Sequence, residues 1–73
     1  MNSAYLSSNG REKVELDLVG LNGNAYSLMG AFQKAARRQG FSTVFIKSVL
    51  DECMTSDYNH LIQTLLEHTE SEG

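Results

Sequence analysis

Three amphipathic helical stripes crowd into the span from Ala25 to Leu66, and each is bounded by residues that start or stop helices. Ala25, Leu28, Met29, Phe32, Ala35 and Ala36 recur at helical spacing, which predicts a first helix over 25–39. Asn24 offers a side-chain oxygen to the unpaired N–H groups at its start, and Gly40 suits the left-handed residue that ends it. A second helix is expected from Ser42 as N-cap to about Met54. Its inward residues are Ile46, Val49, Leu50 and Cys53, flanked by Phe45 and Met54. Thr55-Ser56-Asp57 interrupt that pattern. Asp57 then caps a third helix from Tyr58 to about His68, with Tyr58, Leu61, Ile62, Leu65 and Leu66 as its apolar face. Connections this short imply a compact bundle.

Ahead of the helices, Val14 to Val19 alternates: Val14, Leu16 and Leu18 share one face, Glu15 and Asp17 the other. That is the pattern of a half-buried strand. Asn9-Gly10 suits a type I′ hairpin turn, which would set an arm over Ser3 to Ser7 against the strand and Tyr5 opposite Val14. The plainer alternative is a flexible polar arm over 1–12. Thr69 to Gly73 reads as a frayed acidic tail, and Gly20 to Asn24 as a strand-to-helix turn. The expected architecture is α+β, mostly α: an N-terminal strand or β-hairpin followed by a compact three-helix bundle. It forms a single domain over 13–68.

A chain of 73 residues builds a core that only about offsets the entropy of ordering it. A second copy is one remedy. A lone strand also leaves its backbone groups unpaired, so antiparallel pairing of Val14, Leu16 and Leu18 across a two-fold axis points to a homodimer. One cysteine excludes an internal disulfide framework and fits a reducing, cytoplasmic setting. There is no apolar run near the roughly 20 residues of a membrane span, and Met1 to Lys13 holds no signal-like apolar segment.

Residues able to do chemistry are few. Cys53 lies on the inward stripe of the second helix, where a structural thiol is the expected reading. His60 is expected on the outer face of the third helix and His68 near its end, eight residues apart, unlike the i, i+4 pair of a helical zinc site. Asp51 and Glu52 are neighbours on a helix and point about 100° apart. Gly20-Leu21-Asn22-Gly23 lacks the spacing and the Lys of a phosphate loop. The expectation is a protein that is not an enzyme, with no catalytic residues, cofactor or metal.

Charge is more informative. The net charge of -3 divides into a basic middle (Lys34, Arg37, Arg38, Lys47) and a C-terminal third with six acidic and no basic residues. Lys34, Arg37 and Arg38 share one face of the first helix, with Tyr26 at its edge. Beside them Phe41, Val44 and Phe45 open the second helix where Glu or Gln would complete a capping box. An exposed apolar patch there would mark a partner surface; the alternative is that Phe41 and Phe45 plug the corner between the first two helices and leave Val44 a lone exposed apolar residue. Phe41, Val44, Phe45 and Lys47 are therefore the expected contact residues of an accessory or regulatory protein acting by protein–protein interaction. The alternative is a small nucleic-acid-binding regulator using Lys34, Arg37 and Arg38. Against it, the acidic third helix offers no outward Arg, Lys or Gln to read bases. Opposite charge at the two ends of the bundle also suits head-to-tail association.

The stretch from Leu16 to Leu66, with Leu-Asp-Leu-Val-Gly-Leu-Asn-Gly-Asn-Ala-Tyr, Ala-Ala-Arg-Arg-Gln-Gly-Phe-Ser and Ser-Asp-Tyr-Asn-His-Leu, resembles small bacterial and phage proteins of unknown function. The resemblance implies a compact cytoplasmic protein, with acidic residues expected where Val44 and Phe45 stand. Gly40-Phe41 in the first interhelical loop and Leu65-Leu66 late in the third helix also resemble ubiquitin-associated-type three-helix domains. There those regions form a peptide- or ubiquitin-binding patch. Gln39 departs from that pattern, where the family has Met, and the first helix is longer.

Overall fold

Each helix begins where a short polar side chain meets the N–H groups that no helical carbonyl reaches. In the computed structural model, which describes residues 13–71, α1 spans Ala25–Arg38, α2 Thr43–Cys53 and α3 Tyr58–Glu67. The Asn9-Gly10 hairpin, the arm over 1–12 and the last two residues of the tail lie outside the described residues. Asn24 Oδ1 accepts from the N–H of Tyr26 at 2.9 Å and of Ser27 at 3.4 Å. Ser42 Oγ does the same for Phe45 at 3.0 Å, and Asp57 Oδ1 for His60 at 3.0 Å. All three caps are the ones expected from the sequence.

The end of α1 shows why its loop takes the form Gln39-Gly40-Phe41. Gly40 has φ of 91°, and a Cβ there would crowd the following carbonyl. The Phe41 N–H donates to the Ala36 carbonyl at 3.0 Å and the Gly40 N–H to the Arg37 carbonyl at 3.2 Å. This is a Schellman closure, which spends two orphan carbonyls and delivers Phe41 to the corner with α2.

The three helices pack against one another around Phe32, Leu65, Val14 and Cys53, all essentially fully buried. The α3 stripe is narrower than its spacing suggested. Tyr58 and Leu66 are exposed at its margins, and Thr64 is buried between Leu61 and Leu65. Thr64 tolerates this because its hydroxyl donates to the His60 carbonyl at 2.8 Å, leaving no polar group unmet.

The strand reading needs two corrections. β1 is only Val14–Glu15, not Val14 to Val19. Asp17 Oδ1 takes the Val19 N–H at 3.0 Å, and the Leu18 carbonyl takes that of Leu21 across Gly20, whose φ is 93°. These local bonds turn the chain out of the ladder, while Leu16 and Leu18 still pack against the core. Secondly, Thr69 and Glu70 do not fray: they form β2, parallel to β1 with Val14 opposite Thr69 and Glu15 opposite Glu70. Parallel partners need a long crossover, and the three helices are that crossover. The tail is held because Thr69 is buried and its hydroxyl donates to the Leu65 carbonyl at 2.9 Å.

This pairing removes the argument for a strand-mediated homodimer. On one edge of β1, the N–H groups of Val14 and Leu16 donate to the carbonyls of His68 and Glu70 at 2.8 and 3.0 Å. On the other edge Gln39 acts as a one-residue strand: its Oε1 accepts the Glu15 N–H and its Nε2 donates to the Glu15 carbonyl, both at 2.8 Å. Val14 is wholly buried within one chain, so its side chain is not available to a second copy.

Two substitutions check this account. Gln39→Ala removes two hydrogen bonds to the Glu15 backbone and should cost about 1–2 kcal/mol, read as a lower unfolding midpoint with faster hydrogen exchange at Glu15. Gly30 sits in α1 with nothing within 4 Å of an added Cβ. Gly30→Ala should therefore stabilise the protein by about 0.5–1 kcal/mol, and a lower melting temperature would contradict that.

Candidate functional site

Helix geometry decides which of the expected contact residues stay at the surface. Val44 points outward and is 80% exposed. Phe41 and Phe45 do not join it in an open patch. Both are half-buried, their rings stacked at 5.1 Å, and Phe45 also meets Phe32 at 6.5 Å and the edge of His68 at 5.9 Å. They plug the corner between α1, α2 and the end of α3. The physical reason is that the Schellman turn aims Phe41 inward and gives Phe45 an aromatic partner. Val44 is left as a single exposed apolar residue. His68 is fastened in this corner by its Nδ1–H, which donates to the Thr64 carbonyl at 2.8 Å.

A different surface emerges along the α1–α2 seam. Ile46 and Leu50 of α2 and its C-cap Met54, one turn apart, line a groove of about 290 Å³ with Gln33 and Arg37 of α1 and Thr43, Lys47 and Asp51 of α2. Its floor is apolar and its rim carries two cations. Lys47 contacts Asp51 at 3.0 Å, but both side chains are largely in solvent, where such a pair contributes little. Lys34, Arg37 and Arg38 are exposed and, among the described residues, have no carboxylate partner. The last turn of α1 thus presents unneutralised positive charge beside an apolar trough. Arg37 and Arg38 also face the negative end of the α1 dipole.

A second concavity, of about 400 Å³, lies where the start of α1 meets the α2–α3 connection. Tyr26, Met54 and Tyr58 are its exposed members, and Met29, Cys53 and Leu61 form its base. The Tyr58 hydroxyl donates to the Gly23 carbonyl, tying the loop before α1 to α3. The sequence pattern missed both hollows because each is built from stripe-edge residues of two elements. The one available signal was Met54, an apolar residue flanking the α2 stripe, which borders both.

The titratable groups sit apart. His60 is not simply on the outer face of α3: it is half-buried, and its Nε2 contacts Glu52 Oε2 at 2.8 Å, clamping α3 to α2. Gln63 is exposed on α3, contrary to the expectation that no such side chain faces outward there. Among the described residues no group of three or more His, Cys, Asp or Glu is placed to hold a metal. None of the described helices is long and apolar enough to cross a membrane.

Burial pushes the Cys53 thiol above its ordinary value of 9.0, and the negative charge of Glu52 adds to the shift. The folded state therefore favours the neutral thiol. Any stability from this is intact below the unfolded pKa and is lost as pH rises above it, since the unfolded chain ionises first. At neutral pH, alkylation of Cys53 in the native protein should run about tenfold or more slower than in the denatured chain. Equal rates would show an accessible thiolate. Compared with protein-family models, curated proteins and solved structures, the chain matches none.

Proposed function

We propose that this is a non-catalytic accessory or regulatory protein that works by protein–protein contact through the α1–α2 face. The observation that carries the reading is the groove itself: an apolar floor of Ile46, Leu50 and Met54 bordered by Arg37 and Lys47. Apolar floor and charged rim are the two parts of a recognition surface, one supplying affinity and the other register and approach. Lys34 and Arg38 extend the positive field beyond the rim, and Val44 adds a single apolar contact on the same helix as Lys47. The matching partner surface is acidic with at least one apolar projection. A reduced buried thiol accords with action in the cytoplasm.

The same cations support a second reading, a nucleic-acid contact, because Lys34, Arg37 and Arg38 lie three and four residues apart on one helical face. The two readings separate in one variant. Arg37→Glu with Arg38→Glu should remove the partners that co-purify with the wild-type bait from its native host. Placing two carboxylates at the negative end of the α1 dipole should lower stability by about 1–2 kcal/mol in the circular-dichroism melt while leaving the protein folded. Unchanged partners with the variant would sink the groove reading. Mixed-sequence DNA binding that falls steeply with salt and vanishes in the variant would move the assignment to nucleic acid.

A further inference from the structure

The groove has a complement on the same molecule. On α3, Gln63, Leu66 and Glu67 are exposed at i, i+3 and i+4, so they share one outward face. Leu66, 55% exposed, is an aliphatic knob with a carboxylate directly beside it. The groove offers what such a knob requires: an apolar trough for the leucine and, at its rim, an Arg37 guanidinium without a carboxylate partner among the described residues.

The two surfaces cannot meet within one chain. No residue of α3 lines the groove, so the α1–α2 seam and the outer side of α3 are separate faces of one chain. On the α3 face Glu67 has no cationic partner among the described residues, which complements Arg37 at the groove, where Asp51 is already paired with Lys47. We infer that the occupant of the α1–α2 groove is a second copy of this chain, bound head to tail through Leu66 and Glu67 of its α3. This inference deepens the proposed function by naming the partner, and it rests on the groove being a protein-binding surface.

The geometry has a specific consequence. A contact between two different patches leaves one groove and one knob free at the ends of every pair, so association does not stop at a dimer unless the rotation closes a ring. An isologous dimer would stop at two copies. Arg37 and Glu67 are both at the surface, so the contact is weakened by salt.

Two double variants test this, each blocking one patch at exposed positions. Arg37→Glu with Met54→Glu blocks the groove; Leu66→Asn with Glu67→Gln blocks the knob without offering a cation to the altered groove. In sedimentation of the wild type, the weight-average mass should climb with concentration beyond twice the 8.1 kDa chain mass. Each variant alone should remain at one chain mass, with self-association weakened about tenfold or more, or 1.4 kcal/mol. Mixed in equal amounts, the two variants should form a one-to-one complex and nothing larger, since only one complementary pair survives. A milder Leu66→Ala and a circular-dichroism melt of every variant guard against unfolding as the cause of any loss.

Wild type that stays at one chain mass up to millimolar concentration overturns the proposal, as does a mixture that forms no complex. A wild-type mass that stops at two copies, unaffected by either variant, also overturns it. If self-association fails while the groove variant still loses a partner retained by wild type, the second copy is excluded and the protein-binding reading stands. If neither is affected, both readings fall.

Discussion

The fold depends on the closure of its two ends around Val14. A parallel pair of two-residue strands has little cohesion of its own, yet here it ties residue 14 to residue 69 across the entire helical crossover. The closure holds because each component is needed twice. Val14 fills the core against α1 while its N–H bonds to the His68 carbonyl. Gln39, the cap of α1, supplies a carboxamide that completes Glu15 on the opposite edge. The strand thereby satisfies its backbone without a second chain, and the molecule has no open sheet edge at Glu15 to template wrong pairing.

That economy extends to the corner where α1, α2 and α3 converge. Gly40 reverses the chain, Phe41 follows it inward, and Phe45 stacks on Phe41 while meeting Phe32 and His68. Aromatic rings in offset and edge-on contact add stabilisation beyond their buried area. Using both phenylalanines here has a functional effect: it withdraws them from the surface and shifts the exposed apolar character toward Met54, Tyr26 and Tyr58. The same Met54 borders both hollows, so the short link between α2 and α3 shapes two surfaces at once.

Charge then distinguishes one hollow from the other. The α1–α2 groove is rimmed by Arg37 and Lys47, whereas the hollow at Tyr26 and Tyr58 has Asp57 in its lining, already engaged as the cap of α3. Of these two hollows, the groove is the one bordered by an arginine, Arg37, that has no carboxylate partner among the described residues. Glu67 on α3 likewise lacks a cationic partner among the described residues, so the two faces proposed to meet carry opposite charge.

How far the sequence reached follows from the range of each interaction. The caps at Asn24, Ser42 and Asp57, the left-handed Gly40 and the inward stripes of α1 and α2 were legible, because they are set by residues within one turn of each other. The exposed Val44 and the cationic face at Lys34, Arg37 and Arg38 were legible for the same reason. The pairing of Thr69 with Val14, the clamp of Gln39 on Glu15 and the contact of His60 with Glu52 were not, because the first spans the whole chain and the others join separate elements. The groove formed by Arg37 with Ile46 and Leu50 likewise needed α1 and α2 set side by side, as did the choice between an exposed patch and a corner plug for Phe41 and Phe45. Local hydrogen bonding and helical periodicity thus determined the three helices from sequence alone. Only the tertiary structure decided which strand edges were satisfied and which side chains remained to meet a partner, because those depend on packing between residues distant in the chain.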